Sequence, residues 1–315
     1  EELMRIAILA RGLRRTGGVG RLLGGYVGSL PKAAPEDEFI VITDEPLPES
    51  MRAANVSEVV IEKANPVLFD HLEVPQAIKR VSPDALLATK NAVPVGLRCP
   101  VVCVFLDLAY FAMAQAYPFA DNIYMRAMFR RSARVAARII ALSNSTKDDV
   151  GRFLGKKALD KTVVAYPGVG LPFRRMPDAE RAAARARMSD LPERFVLYAG
   201  NISPRKNIRR LVEAVSALGG KASLVMTGHR GWKSAGLMRL IDGISTSGTV
   251  KVLGGLPDED LTALYNLATM SVYPSLYEGF GFPVIESFAC GTPAAASNAT
   301  SIPEAAGDAA VLFDP

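Results

Sequence analysis

The chain has 315 residues, 49% of them hydrophobic, a formal net charge of +5 and three cysteines. That length exceeds one ordinary core and predicts two domains of roughly 150 residues each, with a cleft between them. The charge is too dilute for a nucleic-acid binder, no apolar run approaches the ~20 residues that cross a bilayer, and Cys99, Cys103 and Cys290 match no zinc or redox spacing, which leaves them as small buried side chains in a reducing cytoplasm.

The sequence opens on a strand-like run at 4–9 rather than on a leader, which predicts a cytoplasmic protein. Thr16-Gly17-Gly18-Val19-Gly20-Arg21 follows, ahead of an apolar helix pattern from Leu22. Glycines there let the backbone approach a ligand, and the helix start behind them offers free N–H groups to an anion. It is no dinucleotide fingerprint: residues 10–15 separate strand from glycines, and no acidic residue closes a second strand at the expected distance.

Further strands are predicted near 38–43, 57–61, 84–89, 100–105, 138–143 and 162–166, separated by helical patterns. Arg126, Arg130, Arg134 and Arg138 recur every four residues, with Arg131 beside them and Tyr110, Phe111, Tyr117, Phe119 and Tyr124 upstream. A helix there would carry a basic stripe, read either as a solvated face or as a peripheral contact with anionic lipid heads at the inner membrane surface or with an anionic acceptor.

Pro167-Gly168-Val169-Gly170-Leu171-Pro172, a helical stretch near 178–188 and Leu191-Pro192-Glu193 then interrupt the pattern before it restarts. The predicted domains are 1–170, a hinge at 171–192, and 193–315, with strands near 195–200, 222–227, 249–253, 270–274, 293–297 and 309–313. Alternation of this kind predicts an α/β chain of two Rossmann-like, doubly wound parallel-sheet domains facing across a cleft, with ligands at the carboxyl ends of the strands.

Two loops of the second half carry the chemistry. In Gly200-Asn201-Ile202-Ser203-Pro204-Arg205-Lys206-Asn207 a guanidinium and an ammonium sit where a helix begins. Cations oppose the positive end of a helix, so the placement invites an anion, and together they could hold a diphosphate. Tyr277-Glu278-Gly279-Phe280-Gly281-Phe282-Pro283-Val284-Ile285-Glu286 follows the strand near 270–274; its glycines permit a tight loop, and Pro283 suits a first helical position. An unpaired carboxylate in an apolar helix start is expensive, so Glu286 is expected to accept hydrogen bonds from hydroxyls.

These two loops, with Gly291-Thr292-Pro293, Ser297-Asn298-Ala299, Pro303-Glu304 and Gly307-Asp308 beyond them, resemble the retaining glycosyltransferases of family 4, whose fold is called GT-B. The Glu278-x7-Glu286 spacing is similar to that family's hallmark. Gly228-His229-Arg230-Gly231-Trp232, Pro167-Gly168-Val169, Ser143 and the opening Gly-Gly loop extend the resemblance over nearly the whole chain. It implies a nucleotide-sugar donor with Arg205 and Lys206 on the diphosphate, Glu286 on the ribose, and Glu278 with the Gly279–Gly281 amides toward the donor sugar. Gly200, Asn201, Gly228 and Phe280 complete that donor pocket, and Gly17 and Gly18 approach the phosphates from the first domain.

By the same resemblance the anomeric configuration is retained, and the donor is GDP-mannose in preference to UDP-glucose. The acceptor is a glycan, a glycolipid or a lipid-linked glycan, met by first-domain loops such as 107–125. The leaving diphosphate needs cations. Asp258-Glu259-Asp260 reads as the acidic first turn of a helix, so no metal or other cofactor is expected, with Arg205 and Lys206 in its place.

Two departures from the family pattern stand out. Leu106 occupies the position of a histidine that helps place the donor sugar, leaving Asp107 as the neighbouring catalytic candidate, while His71 and His229 read as structural or surface residues. Relatives also continue past the position of Pro315 with a helix that crosses back to the first domain. A protein that holds a sugar nucleotide with little turnover, or a GT-B epimerase or phosphorylase relative, is the alternative.

Overall fold

The computed structural model describes residues 3–14, 17–62, 65, 68–229, 231, 235–245 and 249–315. Thr16, Arg230 and Trp232 of the motifs above lie outside the described residues. The chain divides into two units, one of residues 1–112 and 118–167, the other of residues 113–117 and 168–315.

In the first unit seven strands form one parallel sheet: β1 (Arg5–Leu9), β2 (Glu38–Thr43), β3 (Val56–Val60), β4 (Ala85–Ala88), β5 (Val101–Phe105), β6 (Arg138–Ala141) and β7 (Thr162–Val164). Their spatial order is β3-β2-β1-β4-β5-β6-β7. Ile8 aligns with Val41 on one side and Leu87 on the other. Sheets of this kind are covered on both faces, so their central strands read as unbroken apolar runs rather than alternating ones. β2 follows that rule, with every residue after Glu38 buried. Each large aliphatic sealed in this way, such as fully buried Ile8, contributes about 1.5–3 kcal/mol. Phe129 closes the core edge-on against Phe105 and Phe111, with ring centroids 5.0 and 5.8 Å apart.

The second unit repeats the plan with β8 (Val196–Ala199), β9 (Leu224–Thr227), β10 (Val250–Val252), β11 (Met270–Tyr273), β12 (Ala294–Ser297) and β13 (Ala310–Phe313), in the order β10-β9-β8-β11-β12-β13. All thirteen strands fall within the ranges expected from the sequence or one residue beyond them. Segment 171–192 is packed into this unit: Phe173 and Leu191 belong to its core, and the helix Asp178–Arg187 lies within the segment.

The basic stripe needs correction. Its helix runs Phe119–Val135, and the chain turns extended at Ala136 so that Arg138 begins β6. The four-residue period crosses an element boundary there. Arg131 donates to the carbonyls of Val93 and, at 3.2 Å, Pro94, while Arg126 and Arg130 lie over the Phe111 ring at 4.9 and 5.3 Å. Among the described residues no helix is long and apolar enough to cross a membrane. The three cysteines are free thiols, and burial pushes Cys290 up to about 12.

Candidate functional site

In the second unit the strand order reverses between β8 and β11. Successive connections leave those two neighbours in opposite directions, which opens a crevice at their carboxyl ends where open α/β sheets bind ligands. Loop 200–207 follows β8 and loop 274–281 follows β11, so the two loops singled out above meet at that point.

Their meeting is an ion cluster. Arg205 Nη1 lies 2.8 Å from Glu278 Oε2, and Lys206 Nζ pairs with Glu278 Oε1. Arg205 also donates to the Tyr277 carbonyl at 2.9 Å, while the Leu276 amide donates to the Arg205 carbonyl at 2.8 Å. The Glu278 side chain is 11% exposed, Lys206 11% and Arg205 21%. Burial by itself would raise the Glu278 carboxyl, but the Lys206 ammonium and the Arg205 guanidinium outweigh it and hold the group at about 2. Two cations thus share one carboxylate on side chains largely withdrawn from water, where a charge matters more than at an open surface.

Arg205 and Lys206 occupy a single 3-10 turn, Pro204–Lys206, just ahead of the helix Ile208–Ala217. Asn207, in the left-handed region at φ 52°, joins the two elements. Sequence reading put the pair at the helix entry; the intervening turn bends their backbone toward loop 274–281. That loop is held from the far side as well. The Glu278 amide donates to Thr300 Oγ1 at 3.0 Å, and Ser301 Oγ donates to the carbonyls of Glu278 and Phe280 at 2.8 and 3.0 Å. Thr300 and Ser301 escaped sequence reading, although a Ser/Thr pair just ahead of a helix proline is a recognisable local-capping signal.

A tight backbone approach completes the recess. Gly228, at φ 142°, comes so near the β8 loop that a Cβ there would lie 2.0 Å from the Gly200 carbonyl oxygen. Amides of Gly200, Ile202 and Gly231 donate to Thr227, His229 and Ile202, stitching the loops after β8 and β9 together. Asn201 stands exposed at their rim. Gly228→Ala is therefore expected to destabilise the protein by roughly 1–3 kcal/mol through backbone strain, with the clash adding to it. Gly25→Ala, on an exposed helical face with no atom within 4 Å of the added carbon, is expected to stabilise it by about 0.4–1 kcal/mol. Urea unfolding of both variants checks the contrast.

Glu286 lies in the helix Phe282–Ala289 and is 1% exposed. Tyr273 donates to the Tyr265 hydroxyl at 3.1 Å, and Tyr265 donates to Glu286 Oε2 at 3.1 Å. Tyr265 thus gives the buried carboxylate a hydroxyl and Tyr273 backs Tyr265, and both went unidentified in the sequence because they come from a separate helix and strand. In this conformation Glu286 is covered, so a ligand hydroxyl reaches it only as the covering groups move aside. Gly279, Phe280 and Gly281 form the turn into that helix, with Gly281 at φ 116°.

The remaining candidates belong to the first unit. Gly17 precedes the helix Gly18–Ala33, which starts four residues before the expected Leu22. Asp107 Oδ1 accepts the Ala109 amide at 3.0 Å and so caps the short helix Ala109–Ala112, while the Leu106 amide donates to Asn91 Oδ1 at 2.8 Å. Asp258, Glu259 and Asp260 form the first turn of the helix Asp258–Leu267. Among the described residues no group of three or more His, Cys, Asp or Glu side chains is arranged to hold a metal ion.

Residues 181–315 match the family model "Glycosyl transferases group 1". The chain is 33% identical to the Escherichia coli O-antigen chain mannosyltransferase B over 218 residues, 68% of this chain and 57% of that protein. It is 33% identical to the E. coli serotype-specific mannosyltransferase WbdA over 226 residues, 68% of this chain and 27% of that protein. The chain thus spans under two thirds of the length of these relatives. Among solved structures, sucrose-phosphate synthase from Thermosynechococcus elongatus superposes with a TM-score of 0.77 at 21% identity, covering 99% of this chain and 86% of that one. Anabaena HepE in complex with UDP and glucose superposes with a TM-score of 0.73 at 17% identity and the same coverage. These two likenesses establish the two-domain GT-B fold.

Proposed function

We propose that the chain is a retaining hexosyltransferase that moves mannose from GDP-mannose to a glycan acceptor, a reading supported by the match of residues 181–315 to the group 1 glycosyl transferase model. The observation that carries this reading is the convergence of Arg205 and Lys206 on Glu278 at the switch point between β8 and β11. Breaking the bond between C1 of the sugar and the phosphate oxygen leaves positive charge on the ring and a second negative charge on the terminal phosphate of the nucleoside diphosphate. Arg205 and Lys206 take up that charge in the role a divalent ion has in other transferases. Glu278 keeps both cations aimed and faces the sugar; the acceptor hydroxyl loses its proton to the departing phosphate. Glu286, freed by a local opening, takes the ribose hydroxyls. Asp107, whose Oδ1 accepts the Ala109 amide, stays the neighbouring catalytic candidate through its other carboxylate oxygen.

Mannose is preferred because both E. coli relatives are named mannosyltransferases. A thermal-shift panel of GDP- and UDP-sugars in the presence of EDTA tests donor and metal independence together. GDP-mannose is expected to give the largest rise in unfolding temperature; a larger rise with UDP-glucose, or a rise that EDTA abolishes, overturns the assignment.

The acceptor reading includes a membrane contact, reduced by the correction above to one helical face. Phe119 and Ile123, 82% and 56% exposed, share that face with exposed Arg130 and Arg134, at four- and seven-residue steps that keep side chains in line. Apolar wedges beside arginines suit an anionic bilayer surface. The protein is expected to float with phosphatidylglycerol vesicles, and Arg130→Glu with Arg134→Glu to abolish flotation. Equal recovery with neutral vesicles, or no effect of the double variant, removes the membrane contact.

A further inference from the structure

The first sheet has its own reversal of strand order, between β1 and β4, and apart from Gly17 and Gly18, farther along the chain after β1, the donor scheme uses no residue there. The loops after those strands are locked together. Thr89 Oγ1 donates to the Leu9 carbonyl, Lys90 Nζ donates to the Arg11 carbonyl, and the Gly12 amide donates to Asp44 Oδ1 at 2.5 Å. Arg11 projects from this knot, its guanidinium 5.4 Å from the Phe69 ring centre and 3.1 Å from Asp70 Oδ2. Both side chains are about a fifth exposed. Next along the chain, His71 Nε2 lies 2.9 Å from the hydroxyl of Tyr124, which is 41% exposed.

Three features set this cluster apart from a fastening between loops. Arg11 Nε and His71 Nδ1 are buried with no hydrogen-bond partner, an arrangement that works against stability. Burial pushes the Asp70 carboxyl up even with Arg11, His71 and Lys90 drawing it down. Arg11 holds Asp70 through Oδ2, and the Asp70 side chain keeps 22% of its surface exposed. A half-buried carboxylate fixed by an arginine, partly exposed beside a phenol, is matched to hydroxyl donors. A phosphate brought to that exposed side would meet the Asp70 carboxylate first and be repelled by it.

We propose that the mouth of the first sheet is a binding site for the vicinal hydroxyls of a hexose unit, with Asp70 accepting, Arg11 and Tyr124 completing the polar contacts, and His71 fixing Tyr124. The site deepens the transferase reading by naming residues that would select the acceptor glycan, and it rests on that reading only for the ligand's role.

Saturation-transfer NMR on the whole chain tests it, with methyl glycosides of mannose, glucose, galactose and N-acetylglucosamine as probes. At least one is expected to bind saturably, and Asp70→Asn and the semi-exposed Tyr124→Phe each to weaken it by roughly fivefold, the loss of one hydrogen bond. GDP affinity is expected to stay unchanged in both variants. No saturable glycoside, equal affinity in wild type and both variants, or displacement of the glycoside by inorganic phosphate overturns the site. Glycoside binding without GDP binding would sink the donor reading and leave this one standing; GDP binding without glycoside binding would do the reverse.

Discussion

Replacing Glu278 with glutamine is expected to lower the free energy of unfolding by roughly 3–5 kcal/mol, because it leaves two largely buried cations without their shared carboxylate. The exposed pair Arg209–Glu213, 2.8 Å apart with side chains 73% and 48% exposed, supplies the contrast: Glu213→Gln should change stability by no more than about 0.5 kcal/mol. Acid should reproduce the first effect in the wild type. Glu278 is depressed to about 2 in the folded chain against about 4.3 unfolded, so its contribution is fully present above the unfolded value and is lost as pH falls through the folded one. The difference between wild type and Glu278→Gln should therefore narrow below about pH 4. Binding should move the other way: with the internal competitor gone, GDP affinity is expected to hold or rise while turnover falls. Urea titrations across pH, together with calorimetry of GDP binding, measure both halves. A variant that keeps wild-type stability, or that loses GDP binding while folded, contradicts the assignment.

Turnover should drop by roughly 10²–10³-fold in Arg205→Ala and in Lys206→Ala, the range found when one preorganised donor to developing negative charge is removed. Both changes also leave Glu278 with a single cationic partner, so each variant will lose stability too. Rates must accordingly be taken below the variant's own unfolding temperature and at saturating donor. Arg205→Lys separates charge from geometry. An ammonium can replace the positive charge but cannot donate along the two fixed directions that reach the Tyr277 carbonyl and Glu278. An intermediate rate is expected from it, and a rate equal to wild type would reduce Arg205 to a point charge. Unchanged turnover in both alanine variants would remove the leaving-group role altogether.

Strand positions were legible in the sequence because a parallel sheet buried on both faces demands unbroken apolar runs, and Phe39 to Thr43 or Leu224 to Thr227 have no other reading at that length. The order of those strands was not legible. No local pattern says that β8 and β11 lie side by side, so the relation of Glu278 and Lys206, 72 positions apart in sequence, came from the family resemblance and not from the residues between them. Sequence reading set the cations and the carboxylate around one donor, the cations on its diphosphate and Glu278 toward its sugar, but did not expect a direct ion pair between them. The same blindness covers Arg11 and Asp70, which come together only across the reversal in the first sheet. Arg138 shows a different failure. Its four-residue period runs by coincidence out of a helix and into the strand that the apolar run near 138–143 already predicted, so two readings of the same sequence overlapped and the strand reading holds. Gly228 shows a third: a glycine required by a neighbouring loop's carbonyl looks, in sequence, like any other turn glycine.

A crystal structure of the chain with GDP bound tests the central claim most directly. Both Arg205 and Lys206 should then lie within about 3 Å of diphosphate oxygens, with at least one of them drawn off Glu278. A well-ordered diphosphate held elsewhere, with both cations still closed on Glu278, would contradict it.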